Sequence, residues 1–285
     1  PTASGKSKFA IKLAKKIEGE IINADSMQVY KELKVLSARP FKKEHQKIQH
    51  HLYGFQSVKK NFSTGEWLNL VRQKISNLKR RKKVPIIVGG TGLYFKALTD
   101  GFVPIPKIPV KFRERIRILH KNIGSKKFFL KLIKLDPLVK NNLNYTDTQR
   151  CIRAYEVKLF TKSSIYDWFK ENKSYYGKED FYKIYIDYPR IELQGRISSR
   201  VKQMIRKGAV LEVKRFIKTK VRKDRTAYKA IGISEITQYL QKKIDINEVR
   251  EKISIKTRQY AKRQSTWARG HMKDWNKVNP AGLEK

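Results

Sequence analysis

The first residues of the chain, PTASGKS, form a glycine-containing loop that runs directly into an amphipathic helix pattern. Residues 4–7 match the end of the pattern G-x-x-x-x-G-K-[ST], in which successive backbone N–H groups hold phosphate oxygens at a helix N-terminus. In such a loop Lys6 neutralises phosphate charge and the Ser7 hydroxyl ligates Mg²⁺. The alternative is a glycine turn that only caps a helix. Because the chain starts inside the pattern, we expect the native protein to extend N-terminally, with the first glycine and the preceding strand.

Two short, uniformly apolar stretches predict strands of a parallel sheet. Ile21-Ile22 leads to Ala24-Asp25, and residues 84–88 run into the glycine-rich turn 89–92. Helix patterns lie between and after them, and strands that alternate with helices are typical of a parallel sheet covered by helices. We therefore predict an α/β fold with a P-loop NTPase-like parallel sheet flanked by helices and a mostly helical insertion domain.

Both predicted strands end in residues that can do chemistry. The carboxyl ends of parallel strands line the ligand crevice, so we expect Asp25 and Thr91 near the phosphate loop. A carboxylate there can ligate Mg²⁺ or act as a base, and Thr91 offers a hydroxyl beside glycines that allow close backbone approach. The alternatives are an aspartate that only caps a turn and an ordinary strand-to-helix turn at 89–92.

The sequence pattern changes at residues 103–109, and this change divides the chain. Residues 103–109 contain three prolines and predict an extended connector, after which only helix patterns follow up to about residue 175. We predict a P-loop α/β core at 1–108, a helical insertion at 109–177, and the rest of the core with C-terminal helices at 178–285. In the last part we expect a strand at 182–186, helices at 192–218 and 246–270, and a loose tail after Asn276.

The charge of the chain needs an explanation. There are 66 Lys and Arg against 25 Asp and Glu, and 66 − 25 gives a net charge of +41. This balance favours a polyanion partner such as nucleic acid; the alternative is lysine on solvated faces without a partner. No stretch approaches the ~20 apolar residues of a membrane-spanning helix, so we expect no membrane partner. The single cysteine, Cys151, argues against a disulfide framework and fits a reducing, cytoplasmic setting.

Seven motifs occur in the order and spacing of one enzyme family: PTASGKS, DSMQVY at 25–30, SARP at 37–40, HHL at 50–52, GGTGLY at 89–94, QRCIRAYEV at 149–157 and KRQSTWAR at 262–269. On these motifs the chain resembles the bacterial tRNA dimethylallyltransferases, also called tRNA isopentenyltransferases. The resemblance implies transfer of a dimethylallyl group from dimethylallyl diphosphate to N6 of an adenine, with release of diphosphate. That adenine lies directly 3′ of the anticodon, at position 37, in tRNAs that read codons beginning with U.

The resemblance also implies roles for single residues. Asp25 would be the general base for the poorly nucleophilic N6 amine, and Thr91 would lie near the adenine and the allylic carbon. Mg²⁺ on Ser7 would be the cofactor. The diphosphate would be bound by Thr2, Ala3, Ser4, Gly5, Lys6, Ser7 and Arg196. The alternative for Arg196 is that it is a charged residue on the solvent-exposed face of a helix.

The implied tRNA partner is bound through its anticodon stem-loop, by a monomeric protein. The adenine must leave the stack of the loop to be modified, and RNA loops are recognised by stacking and by hydrogen bonds to splayed bases. The implied tRNA-binding residues are Asp25, Ser26, Met27, Gln28, Thr91, Arg113, Gln149, Arg150, Cys151, Ile152, Arg153, Lys262, Arg263, Gln264, Ser265, Thr266, Trp267, Ala268 and Arg269, with a further contact region at 229–234. For Trp267 the alternative is a core aromatic.

Several positions depart from the family pattern, and their effects are left open. They are Leu36 and Ser37 in place of a common Gly-Thr, Gly54 near a usual Asp, and Ile233-Ser234 in place of a Tyr-Arg or Tyr-Lys pair. The paired His50-His51 have no third ligand at suitable spacing, so we expect no metal site there.

Two other functions are compatible with a phosphate loop and a basic chain. A small-molecule kinase would use the same nucleotide-binding loop for ATP, with a pocket for a phosphoryl acceptor. A non-catalytic RNA-binding protein could retain a degraded phosphate loop, although the presence of Lys6, Ser7, Asp25 and Thr91 argues against it. ATP turnover without allyl transfer would identify the kinase.

Overall fold

The computed structural model of the protein describes residues 1–279. It forms two compact units, one made of Pro1–Leu98 with the chain from Gly177 onward and one made of Thr99–Tyr176. The predicted insertion begins at residue 109, whereas the second unit begins at Thr99. The reason is that the proline-rich connector packs on the second unit, with Ile105 and Ile108 against its core.

A parallel sheet forms the base of the first unit. Strands β1 (Gly19–Ala24), β2 (His50–His51) and β3 (Val84–Gly89) pair in the order β2-β1-β3, and both pairs are parallel. The central strand β1 is buried at all six positions, as expected for a strand covered on both faces. Ala24 lies beside Gly89 in the register, so the chain segments that follow β1 and β3 leave the sheet at one edge. The predicted α/β fold is confirmed.

Three helices follow the loop and strands of this sheet: α1 (Lys6–Lys16), α2 (Thr64–Arg80) and α3 (Gly92–Thr99). Helix α2 begins at a capping box in which Ser63 and Glu66 bond each other's backbone N–H groups. Its Trp67 is fully buried, donates from Nε1 to the Asn23 carbonyl of β1 at 2.8 Å and stacks on Tyr94 of α3. Helix and sheet are thereby fixed directly beneath the carboxyl edge.

The second unit is helical, with α4 (Val110–Leu135), α5 (Thr148–Thr161) and α6 (Ile165–Lys170). Helix α4 bends at Gly124, whose φ of 74° is left-handed. The core contains the fully buried Phe128 and Leu132 of α4 and Val157 of α5. Hydrophobic packing between α4 and α5 therefore holds this unit together.

The rest of the first unit contains β4 (Ile184–Ile186), α7 (Arg190–Arg206), α8 (Ala209–Lys218), α9 (Ile233–Leu240), α10 (Ile246–His271) and β5 (Asn276–Val278). The helical structure predicted at 192–218 is present, but Gly208 with a φ of 93° separates it into α7 and α8. The loose tail predicted after Asn276 is wrong at its start, since β5 pairs with β4 in parallel; residues 280–285 lie outside the described part.

Short 3-10 turns complete the description at Lys42–His45, Pro137–Val139, Lys178–Asp180 and Thr226–Lys229. In the part of the chain that the structure describes, no helix has the length and apolar character needed to cross a bilayer.

Candidate active site

The loop before α1 has the backbone expected for holding phosphate. Ala3 and Gly5 have positive φ angles of 62° and 82°, and α1 begins directly after Gly5. The first N–H groups of a helix lack partners within the helix and carry partial positive charge, so they suit an anion. Thr2 and Ser4 are buried behind the loop, whereas Ser7 is exposed on the first turn of α1.

Lys6 is the first cation of this loop. Its Nζ donates to the Pro1 carbonyl at 3.1 Å. Burial lowers the pKa of Lys6 to about 8; the carboxylate of Asp25 opposes the shift and the guanidinium of Arg200 adds to it. A bound anion would favour the charged form of this amine, so the site gains from a phosphate ligand.

Arg196 on α7 lies at the same loop. Its Nε donates to the Ala3 carbonyl at 3.0 Å, its Nη1 donates to the Tyr188 hydroxyl at 3.0 Å, and its guanidinium lies over the Tyr188 ring. A Cβ built on Gly5 would lie 3.6 Å from its Nη2. Arg196 is therefore held at the phosphate loop and not on a solvated helix face.

Arg200, one turn further along α7, is a cation that the sequence analysis missed. Burial lowers its pKa, and the carboxylate of Asp25 acts in the opposite direction. Its electrostatic coupling to Asp25 and Lys6 puts it in the site. The four-residue spacing from Arg196 places both on one helix face, which is the signal that could have found it.

Asp25 forms the turn at the end of β1. Its Oδ1 accepts the N–H of Met27 at 2.9 Å, and its own N–H donates to Asn23 Oδ1 at 2.9 Å. One carboxylate oxygen thus caps the turn, as the alternative interpretation held. Oδ2 accepts no hydrogen bond within residues 1–279.

Three tyrosines, one buried and two half-buried, interact electrostatically with the same carboxylate. Burial raises the pKa of Tyr53, Tyr94 and Tyr260, and the negative charge of Asp25 adds to the shift in each case. These phenols stay protonated at neutral pH. Asp25 is therefore placed between two cations and neutral aromatic groups.

Thr91 connects the two strand ends. Its Oγ1 accepts the Ser26 N–H at 2.9 Å and donates to the Ser26 hydroxyl at 3.3 Å, and its N–H donates to the Ala24 carbonyl. Gly89 allows this approach, because a Cβ there would lie 2.0 Å from the Ala24 carbonyl oxygen. The structure thus brings Thr91 beside the residue that follows Asp25, as predicted from the sheet edge.

Gln264 of α10 joins the two loops of the site. Its Oε1 accepts the Thr2 N–H at 2.7 Å, and its Nε2 donates to the Gly90 carbonyl at 2.8 Å. The tRNA contact of this side chain stays a prediction. Both ends of its amide bond within the protein and hold the phosphate loop against the turn that carries Thr91.

Trp267 lies one turn further along α10. Its indole packs on Gly92, where a Cβ would be 2.5 Å from the ring, and it stacks on His271 with a centroid distance of 4.3 Å. The ring is half-buried, so it is not a core aromatic. Of the other predicted positions in this motif, Lys262, Arg263, Thr266 and Arg269 are exposed, Ser265 is half-buried and Ala268 is buried.

The chain after Asp25 is held by a contact that the sequence did not reveal. Glu212 on α8 accepts three backbone N–H groups, from Lys34, Val35 and Leu36, at 2.7 to 2.9 Å. Predicted tRNA-binding residue Gln28 then donates from Nε2 to the Ser37 carbonyl at 3.0 Å. The departure at Leu36 leaves this loop anchored through its backbone.

The predicted tRNA-binding residues of the second unit divide by exposure. Gln149 and Arg150 are exposed on the first turn of α5, and Arg113 and Arg153 are half-exposed. Cys151 and Ile152 instead face the core of this unit and are buried, as is Ala268 in the first unit. The tRNA contact predicted for these three residues stays a prediction.

The remaining departures have local explanations. The Arg39 guanidinium fills the space where a Gly54 side chain would be, and it donates to the Tyr30 carbonyl at 3.1 Å. In the 229–234 region, Ile233 is fully buried, while Lys229 and Ser234 are exposed.

The paired histidines are engaged with other groups. His51 Nε2 lies 2.6 Å from a carboxylate oxygen of the buried Glu20, and His50 Nδ1 lies 2.8 Å from the Ile48 carbonyl. Within residues 1–279, no three His, Cys, Asp or Glu side chains converge to hold a metal ion.

The fold and this site together define a P-loop enzyme of the α/β class, with cations placed for a phosphate group and a carboxylate beside it. The model of the IPP transferase family matches residues 28–271. The chain belongs to this family, the tRNA dimethylallyltransferases. The prediction made from the motifs is confirmed.

Known proteins support the assignment at the level of sequence and fold. The chain is 56% identical to the tRNA dimethylallyltransferase of Pelagibacter ubique, over 100% of this chain and 91% of the relative. It is 42% identical to that of Rickettsia massiliae, over 96% and 76%. Among solved structures it is similar to the tRNA isopentenylpyrophosphate transferase of Bacillus halodurans, with a TM-score of 0.69, 29% identity and coverage of 98% and 88%. A eukaryotic dimethylallyltransferase acting on tRNA gives a TM-score of 0.85, 26% identity and coverage of 100% and 73%.

Proposed function

We propose that this protein transfers a dimethylallyl group from dimethylallyl diphosphate to N6 of the adenine directly 3′ of the anticodon, in tRNAs that read codons beginning with U. Diphosphate is the second product. The observation that carries the proposal is the junction of the two strand ends, where the Thr91 hydroxyl bonds Ser26 and thereby lies next to Asp25. A phosphate loop with the cations of Lys6 and Arg196 adjoins this junction.

Asp25 acts as the general base in this proposal. The exocyclic amine of adenine is a poor nucleophile, so a carboxylate that accepts its proton during attack accelerates transfer by about 10²–10⁴-fold. The turn contact between Oδ1 and the Met27 N–H fixes the carboxylate, and Oδ2 can face the amine. Thr91 orients the substrate from the other side of the junction.

The phosphate loop and its cations stabilise the leaving diphosphate. Negative charge grows on the bridging oxygen as the bond to the allylic carbon breaks, and preorganised N–H groups and cations at that place lower the barrier. Ala3, Gly5 and the first turn of α1 supply the backbone, and Lys6, Arg196 and Arg200 supply the positive charge. The reduced pKa of Lys6 gives this amine the most to gain from the anion.

A Mg²⁺ ion fits the donors that are present. Magnesium is usually held by one or two protein ligands together with substrate phosphates and water, and the exposed Ser7 hydroxyl on α1 is such a ligand. When bound, the ion would neutralise diphosphate charge.

The tRNA-binding residues in this proposal include the exposed cations of α10 in the first unit and, separately, those of α5 in the second. Lys262, Arg263 and Arg269 are exposed in the motif that also holds Trp267 at the site. The net charge of +41 attracts RNA in general. The named residues, and not the charge as a whole, supply the specific contacts to the tRNA.

Transfer of radiolabel tests the proposal. The protein is incubated with an anticodon stem-loop RNA, Mg²⁺ and dimethylallyl diphosphate labelled in the allyl group, and in parallel with ATP labelled in the γ-phosphate. We expect label from the allylic donor in the RNA and none from ATP. Hydrolysis or transfer from ATP without allyl transfer would identify a kinase and overturn the proposal.

A further inference from the structure

A single buried carboxylate organises three arginines on the surface of the second unit. Glu156 of α5 is 1% exposed, and the side chains of Arg113, Arg117 and Arg153 around it are 36–40% exposed. Arg113 Nε lies 3.0 Å from Oε2, Arg153 Nη1 lies 3.5 Å from Oε2, and Arg117 Nε lies 3.8 Å from Oε1. We call these four residues the Glu156 cluster.

The charges of the Glu156 cluster do not balance. Three guanidinium groups face one carboxylate, so the cluster keeps a net charge of +2 at the surface. Arg113 and Arg117 are one turn apart on α4, while Arg153 and Glu156 lie within one turn of α5. Without the buried carboxylate, three like charges would not be held together. Glu156 is thus the group that fixes their positions.

The hydrogen bonds in the cluster leave most donors unused. Arg113 donates to Glu156 through Nε, and its two terminal nitrogens donate no hydrogen bond within the described residues. Arg117 lies beyond hydrogen-bond distance, and Glu156 Oε1 has no hydrogen-bond partner within the described residues. Arginine forks match the geometry of phosphate oxygens, so these N–H groups suit a phosphodiester.

We propose that the Glu156 cluster is a preorganised clamp for the RNA phosphate backbone, in which Arg117 is an RNA-binding residue and Glu156 is a positioning residue. The proposal rests on the proposed function for the identity of the RNA, a tRNA stem-loop. It assigns to Glu156 a role that acts through the arginines and to Arg117 a contact that no motif indicated.

Two variants and a control test the clamp by their binding to an unmodified anticodon stem-loop RNA, measured by fluorescence anisotropy over a range of salt concentrations. We plot the logarithm of the association constant for RNA against the logarithm of the salt concentration. Arg117→Ala should make this negative slope shallower by about 0.7–0.9, which weakens RNA binding about fourfold at 0.15 M salt. Arg115→Ala, an exposed arginine of the same helix outside the cluster, removes the same charge and should change the slope by less than half as much.

Glu156→Gln separates positioning from net charge. The substitution makes the protein more positive, so a simple charge effect predicts tighter RNA binding. Loss of the anchor predicts weaker binding, by about fourfold or more. Thermal melting checks that the variant is folded; if it is not, the comparison of the two arginine variants decides.

The clamp is overturned if Arg117→Ala and Arg115→Ala reduce the slope equally, or if folded Glu156→Gln binds RNA as tightly as the unmodified protein or more tightly. If the arginine variants change the slope as predicted but the wild-type protein transfers no allyl group, the proposed reaction is wrong and the clamp is still supported. Wild-type protein that fails to bind the stem-loop would overturn both.

Discussion

Gln264 forms a bridge between the phosphate loop and the turn that carries Thr91. This bridge links a contact in the structure directly to the rate of allyl transfer. Gln264→Ala removes two hydrogen bonds of 2.7 and 2.8 Å, to the Thr2 N–H and the Gly90 carbonyl. Each hydrogen bond contributes about 1 kcal/mol net, so the interaction between the two loops weakens by about 2 kcal/mol. If the transition state needs both loops in place, transfer slows about 30-fold.

The assay is single-turnover transfer at saturating stem-loop RNA and saturating donor, with RNA affinity measured separately in the absence of donor. We expect the rate to fall and the RNA affinity to stay within about twofold, because the Gln264 amide faces protein at both ends. Gln259→Ala, an exposed glutamine on the same helix, is the control and should change neither quantity. A Gln264→Ala protein with weak RNA binding and a normal rate would show that this side chain reads RNA, and would refute the bridge.

Three further predictions concern the same edge of the sheet. Asp25→Asn should keep the turn but slow transfer by about 10²–10⁴-fold, with RNA affinity within severalfold; a near-normal single-turnover rate would reject the base assignment. Because the Lys6 amine has a pKa of about 8 and holds an anion only when protonated, affinity for inorganic diphosphate, measured by calorimetry, should fall as pH rises through about 8. Lys6→Arg should flatten that profile, and an equal fall in both proteins would disprove the role of this amine. Gly89→Ala should lower the melting temperature of the protein, since the new Cβ would lie 2.0 Å from the Ala24 carbonyl oxygen. Gly195 in α7 has open space around it, so Gly195→Ala should instead stabilise the folded protein by about 0.5–1 kcal/mol. Equal melting temperatures for the two alanine variants would contradict the close packing at Gly89.

Local sequence patterns were sufficient to predict the parallel sheet at the centre of the fold. The glycine loop with its following helix, and two apolar strands that end in Asp25 and in GGTG, predict the sheet edge on which the candidate site lies. The rule that parallel strands present their carboxyl ends at one edge then places Thr91 near Asp25. The register of Ala24 beside Gly89 shows why the rule works here.

Other features depend on contacts between distant residues, which no local pattern encodes. The strand at His50–His51 lacks the apolar sequence of a buried strand, and its pairing partner is Ile21-Ile22. Gln264 bonds residues 174 and 262 positions away, and the three-amide contact of Glu212 spans at least 176 positions. A motif can mark such residues as important, but only the folded chain shows which partner each one meets.

In the proposed reaction, this protein places an allyl group on one adenine of a tRNA anticodon loop. Mass spectrometry of nucleosides from a stem-loop RNA incubated with the protein, Mg²⁺ and dimethylallyl diphosphate tests it most directly. We predict N6-dimethylallyladenosine at the position directly 3′ of the anticodon, and none in a matched RNA with guanine there. An unmodified adenine in RNA that the protein demonstrably binds, or modification at another adenine, would contradict the account.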